Sequence, residues 1–282
     1  MRHITPSFSH INLQPGKGKI TDKELAKVLP LEEVCKSIPK RVETYDDLVK
    51  DVAQILHRNR NYVLYYRGQI NDYKAEGKTT ILPSIYRKKS DEKRLMLKDR
   101  FETLEQKTIE LKKRFRDSTI KYIGIPLINK YPEIAWSLLQ HYEICDTPLL
   151  DLTHSLHVAC SFAFDKNEGN TGIVYVIGMP WQTDAIGYNT FEEVVNLRLL
   201  SVCPPQAQRP FFQEGYLAGP FPNYQLKDPD RKDQFDFSRR LIAKFEIPNR
   251  PDFWGTGFSI IPRGKLFPEN DKIFQICQSL MI

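Results

Sequence analysis

The sequence predicts an α+β fold, and three observations carry that reading. Gly172–Gly178 (GIVYVIG) is apolar on both faces, the pattern of a strand at the centre of a sheet. Leu48, Val52, Ile55 and Leu56 recur at helical spacing behind Thr44, so an amphipathic helix precedes the sheet. Strands and helices then follow one another without the strict βαβ alternation of a doubly wound sheet. At 41% hydrophobic and 27% charged, 282 residues have the composition of an ordinary globular chain and enough length to bury a core without staples.

Residues 1–40, rich in Pro, Gly and Lys, read as an N-terminal arm with one short helix over Asp22–Val28. A single α+β domain is expected over residues 41–282, with a charged helical insertion at about 90–120. Thr44 is placed to cap a helix ending near Arg58, and Asp46 and Asp47 sit in its first turn, where the helix dipole favours negative charge. Asn59-Arg60-Asn61 is a turn, and Tyr62–Arg67 is aromatic and β-branched enough for a buried strand. A loop leads to Leu82–Arg87. From Asp91 to Arg116, Leu95, Leu97, Phe101, Leu104, Ile109, Leu111 and Phe115 form a narrow stripe through alternating charge, which predicts a long, mostly solvated helix.

Further helices are expected over Glu133–Tyr142, with Ala135, Leu138, Leu139 and Tyr142 on one face, and over Leu156–Asp165, capped by Ser155. Asn189 and Glu192 have the spacing of a capping box, so a helix is predicted from there to Leu200, ended by Pro204-Pro205. Phe211–Leu217 reads as a strand bent near Gly215, and Arg240–Ile247 as a strand alternating through Leu241, Ala243, Phe245 and Ile247. A last helix is expected after Pro268.

The formal charge of +6 permits acidic ligands such as nucleotides without requiring nucleic acid. The most basic stretch, residues 91–117, holds seven acids, so it reads as a solvated helix face laced with i,i+4 pairs. Five dispersed cysteines with no C-x-x-C pair argue against a disulfide framework and a zinc cluster, and for a reducing compartment. No apolar stretch matches a signal peptide or a membrane helix, and a cytoplasmic location is expected.

Polar residues concentrate in Gln140–Asp165 (QHYEICDTPLLDLTHSLHVACSFAFD). Its His154-x-x-His157 pair lacks the H-E-x-x-H pattern and straddles a helix start, so no metal is expected. Ser155 and Cys145 lie near histidines in sequence, but neither sits in a nucleophile elbow. Gly16-Lys17-Gly18-Lys19 lacks the spacing of a phosphate loop. There remain Arg67 at the end of a buried strand, Gly68 beside it, and Thr153 and Ser155 ahead of a buried helix. A fixed guanidinium suits a bidentate grip on phosphate or ribose, glycine admits close backbone approach, and hydroxyls at a helix N-terminus suit anion or ribose contact. On the residues alone, a buried Arg67–Asp151 ion pair with Thr153 and Ser155 as mere caps stands beside that reading. The Arg67, Gln140–Asp165 and Phe211–Gly215 segments are expected to converge on one site.

Tyr66-Arg67-Gly68-Gln69, Leu82-Pro83-Ser84-Ile85-Tyr86-Arg87, Gln140-His141-Tyr142, Leu149–Thr153 with Ser155, Val158-Ala159 and Phe162-Ala163 occur in the order of the FRG domain, a family named for a (Phe/Tyr)-Arg-Gly motif, which this chain resembles from about Thr44 to Leu217. Leu152 stands where that family usually has tryptophan, and Glu143 where it has glycine. The pattern is also similar to the ADP-ribosyltransferases of the Arg-Ser-Glu type. That resemblance implies a split antiparallel β core with surrounding helices, NAD as substrate, and a toxin or bacterial, antiviral defence effector. It implies that Arg67 holds NAD phosphate or ribose, that Thr153 and Ser155 orient the nicotinamide ribose, and that Tyr66, Gly68, Gln69, Ser84, Tyr86, His141 and Asp151 line the nucleotide. The late segment Arg209–Leu217 offers Gln213, with Glu214 beside it, where the chemistry wants a carboxylate. Partners implied are a nucleotide ligand and a protein target. A non-catalytic nucleotide-binding or protein-interaction module on the same fold is the alternative.

Overall fold

Residues 31–90, 92–93, 95–118, 124–225 and 235–281 are described by a computed structural model; the helix expected over Asp22–Val28 lies outside them. The helices are α1 (Leu31–Lys36), α2 (Tyr45–Arg58), α3 (Leu97–Asp117), α4 (Ile125–Lys130), α5 (Pro132–His141), α6 (Leu156–Phe164), α7 (Leu199–Val202), α8 (Gln208–Phe212), α9 (Arg263–Leu266) and α10 (Lys272–Gln278). The strands are β1 (Lys40–Arg41), β2 (Val63–Gln69), β3 (Lys74–Ala75), β4 (Lys78–Thr79), β5 (Leu150–Thr153), β6 (Thr171–Met179), β7 (Ile186–Asn189), β8 (Val194–Arg198), β9 (Gly215–Pro220) and β10 (Leu241–Pro248). The architecture is mixed α and β, as expected. Contacts divide it into two units, each drawn from three separate stretches: the first from residues up to 81, 153–181 and 237–262, the second from 82–152, 182–236 and 263–282.

In the first unit the strand order is β1-β10-β6-β2, with β1 parallel to β10 and the remaining pairs antiparallel. GIVYVIG is central, as its two apolar faces predict. Thr44 caps α2 by accepting from the Asp47 amide at 3.1 Å, and Leu48 and Val52 turn inward. One sheet face carries Leu64, Tyr66, Val174, Val176 and Phe245, which pack on Ala159, Cys160 and Ala163 of α6. Strand alternation puts Tyr65, Arg67, Gln69, Tyr175, Lys244 and Glu246 on the opposite face. The helix lies so close that a Cβ on Gly68 would stand 1.8 Å from the Ala159 carbonyl oxygen, and one on Gly172 would stand 2.7 Å from that of Ala163.

The second unit pairs strands in the order β5-β9-β8-β7. Leu104, Leu111 and Phe115 of α3 join Ile134, Ala135, Leu138 and Leu139 of α5 in its core. The long charged helix begins at Leu97, six residues later than expected, and Ile109 is not on its buried stripe: it is 62% exposed, and Thr108 takes the inward position. The Thr108 hydroxyl donates to the Leu104 carbonyl at 2.7 Å, which makes that inward turn tolerable for a polar residue.

Three further expectations are corrected. Residues 31–40, read as the end of an arm, hold α1 and the first residue of β1, with Val34 and Cys35 buried. The helix predicted from Asn189 is a β7–β8 hairpin: Asn189 Oδ1 does accept from the Glu192 amide at 2.7 Å, but in a turn in which Glu193 has φ 49°. Asn accepting from the third residue on serves a turn as well as a helix start, so the spacing alone does not choose. The strand predicted over Phe211–Leu217 is α8 followed by β9; Phe211 is 66% exposed, and Glu214 turns the chain at φ 44°.

Candidate functional site

Arg67 lies on the face of β2 away from α6, half-buried, and its Nε donates to Gln69 Oε1 at 3.0 Å. The Gln69 amide nitrogen is buried, and the Gln69 side chain also hydrogen-bonds the Tyr175 hydroxyl. Tyr65, on the same face, is covered by the His154 ring, stacked with centroids 4.3 Å apart. The His154 ring therefore brings the Thr153–Ser155 step to the edge of the face that carries Arg67. Thr153 pairs with Tyr66 across β2 and β5, and its Oγ1 accepts from the Ser155 amide at 3.0 Å. Ser155 caps α6 as predicted, accepting from the Val158 amide at 3.4 Å. Tyr66 and Gly68, expected around the nucleotide, are on the face that packs against α6.

A polar cluster that the sequence did not disclose adjoins Arg67. Lys244, Tyr175 and Arg67 are directly opposite one another on β10, β6 and β2. Asp72 accepts from the Tyr175 hydroxyl at 2.9 Å, from Thr79 at 2.7 Å and from Lys244 at 2.9 Å. Burial alone would push the Asp72 carboxyl up, but the hydrogen bonds from Lys244, Thr79 and Tyr175 and the lysine charge outweigh it and hold the group below its ordinary value. The Tyr175 phenol is pushed up by burial and then by the neighbouring Asp72 charge.

A carboxyl depressed in the folded state contributes stability that is complete above the usual carboxylate range and is lost as pH falls through the depressed value. Urea unfolding of the protein and an Asp72→Asn variant should therefore differ most at neutral pH and converge in acid. A difference independent of pH would show that the Asp72 charge is not what the network stabilises.

The second unit holds Ser84, Tyr86, His141, Asp151, Gln213 and Glu214. Asp151 accepts from Gln140 Nε2 at 2.7 Å and stands 3.7 Å from His141 Nδ1. Ser84 Oγ accepts from the Thr147 amide at 3.0 Å, and the buried Tyr86 hydroxyl donates to the Tyr224 carbonyl. Gln213 is buried, with Nε2 donating to the Leu266 carbonyl at 2.7 Å, whereas Glu214 is exposed. Arg209 has a larger part than its place in a motif suggested. Its guanidinium lies 4.2 Å from the Phe274 ring centroid and 5.2 Å from those of Tyr142 and Phe267. Its partners Phe267 and Phe274 lie far along the chain, so no local signal could have revealed the box.

Burial, and secondarily the adjacent Asp146 charge, pushes the Cys145 thiol up to about 12, which removes the thiolate a nucleophile needs. His157 faces the Ser259 carbonyl among the rings of Tyr45, Trp254 and Phe258. Among the described residues, no three His, Cys, Asp or Glu side chains gather as metal ligands, and no helix is long and apolar enough to cross a membrane.

Residues 62–171 match the FRG domain family. The matched span holds the Tyr-Arg-Gly-Gln, Leu-Pro-Ser-Ile-Tyr-Arg, Gln-His-Tyr and Leu-Leu-Asp-Leu-Thr-His-Ser segments, and it ends before Arg209–Leu217. No curated protein and no solved structure gave a match.

Proposed function

With an FRG domain present in the chain, we propose that it is ADP-ribosyltransferase-like: it binds NAD through Arg67 and breaks the nicotinamide–ribose bond, by transfer to a protein or by hydrolysis. The observation that carries this reading is the assembly around β2. Arg67 and Gln69 share one sheet face, His154 stacks there on Tyr65, and Ser155 caps the helix behind. These groups are chiefly hydrogen-bond donors, a set suited to phosphate and ribose oxygens. In the cleavage, the bond from ribose C1′ to the nicotinamide nitrogen breaks, nicotinamide leaves with the electron pair, and water or an acceptor side chain bonds to C1′. Ser155 would hold the ribose.

On that face of the first unit the described carboxylates are engaged, and this favours a second reading. Asp72 is saturated by its own partners, Glu246 pairs with Arg41 at 3.3 Å, and Gln213 is a neutral amide engaged with Leu266. A nucleotide-binding module without cleavage would keep the donor set and lose nothing by this.

Incubation with NAD, scored for free nicotinamide and for bound nucleotide, separates the two. Release is expected from the protein, with a loss of at least about 100-fold in Arg67→Ala while its circular dichroism is unchanged. Equal release by a folded Arg67→Ala variant would sink the catalytic reading. Binding without any release would leave the module.

A further inference from the structure

We propose that Tyr175 is a positioning residue for Arg67, itself held by the buried Asp72–Lys244 pair. Register puts the two side chains directly opposite on β6 and β2, where Cβ atoms are about 5 Å apart. A guanidinium on a strand turns freely about its long side chain unless neighbours fix it. Gln69 Oε1 accepts from Nε, and the Gln69 side chain is itself hydrogen-bonded to the Tyr175 hydroxyl.

The ring is in turn anchored at its far end. Its hydroxyl donates to Asp72 Oδ1, which also accepts from Thr79 at 2.7 Å. The Lys244 ammonium spends its three donors on Asp72 at 2.9 Å, Thr79 Oγ1 at 2.6 Å and the Cys35 carbonyl at 3.1 Å. Lys244 and Asp72 side chains are 1% and 9% exposed, so this pair is almost closed to solvent. A buried ion pair of this kind gives little net stability over apolar side chains of equal volume. What it supplies here is direction: the Tyr175 hydroxyl is held at Asp72, across the strand pair from the arginine.

The inference uses the proposed NAD site only for what Arg67 grips; the positioning itself is testable without nucleotide. Tyr175→Phe keeps the ring and removes the one hydroxyl. The readout is the Arg67 Nε–H resonance, assigned by its loss in Arg67→Lys, and its rate of exchange with water. We expect exchange to rise about tenfold in Tyr175→Phe and NAD affinity to fall by a similar factor. Asp72→Asn, which leaves the phenol without its charged acceptor, should move the same resonance in the same direction. Should Tyr175→Phe fail to fold, Asp72→Asn alone decides. An unchanged Nε–H exchange rate in a folded variant overturns the positioning role, whatever NAD does. Faster exchange in a protein that never binds NAD keeps the positioning and removes the proposed function instead.

Discussion

Replacing Gly68 by alanine should prevent the first unit from forming its native core. The added methyl would lie 1.8 Å from the Ala159 carbonyl oxygen and 2.7 Å from the Ala163 amide nitrogen. Both are backbone atoms of α6, so no rotamer change relieves the overlap. The helix must lift off the sheet, and Leu64, Tyr66 and Val174 lose their packing against Ala159 and Ala163. Overpacking a core costs about 1–3 kcal/mol even where flexible side chains can yield, and a rigid backbone contact belongs above that range. The expected result is a chain that is insoluble or unfolds at a much lower denaturant concentration. A Gly68→Ala protein with an unchanged unfolding midpoint would mean that the helix does not seat on this glycine.

Removing the Asp271 carboxylate should be nearly as damaging to the second unit. Oδ2 accepts from the Tyr142 hydroxyl at 2.6 Å and from the Gln208 and Arg209 amides at 2.8 and 3.1 Å. Oδ1 caps α10, accepting from Ile273 and Phe274 at 2.9 and 3.2 Å. Asp271 is fully buried, so an Asp271→Ala variant leaves a phenol and four amides without acceptors and without water. The loss should be about 3–5 kcal/mol, the cost typical of breaking a buried charged network by deleting one partner. Tyr142→Phe deletes one donor together with its bond and should cost about 1 kcal/mol. Urea unfolding of the two variants gives the comparison; equal losses would show that the amide caps contribute nothing.

The strands and helices that were legible are those in which one pattern had one outcome. GIVYVIG has no polar face to show to solvent, and Thr44 with Asp46 and Asp47 has no competing turn to form. Asn189 and Phe211 lie where two outcomes share a pattern. An Asn–Glu spacing serves a hairpin once Glu193 turns left-handed, and two phenylalanines resemble a buried strand although Phe211 stays in solvent. The site divides in the same way. Ser155 meets the Val158 amide three positions on, and Arg67 meets Gln69 two positions on. Lys244 reads as the outward residue of an alternating strand, yet it is buried, because Asp72, Thr79 and the Cys35 carbonyl come to it from distant parts of the chain. Gly68 was legible as a special position, but its neighbour is a helix backbone.

The order of strands around β6 also governs how this protein can be divided. A fragment trimmed to the span that matches the FRG family would contain β2 and only the first residue of β6, with β10 absent. Its arginine strand would then have an open edge of unpaired amides and carbonyls where β6 belongs. During synthesis the same edge stays open until residue 179 has emerged, and β6 in turn waits for β10, some sixty residues later. The recognisable segment thus stops one residue into its neighbouring strand, and a piece that keeps β6 paired on both edges must carry the strand that ends at Pro248.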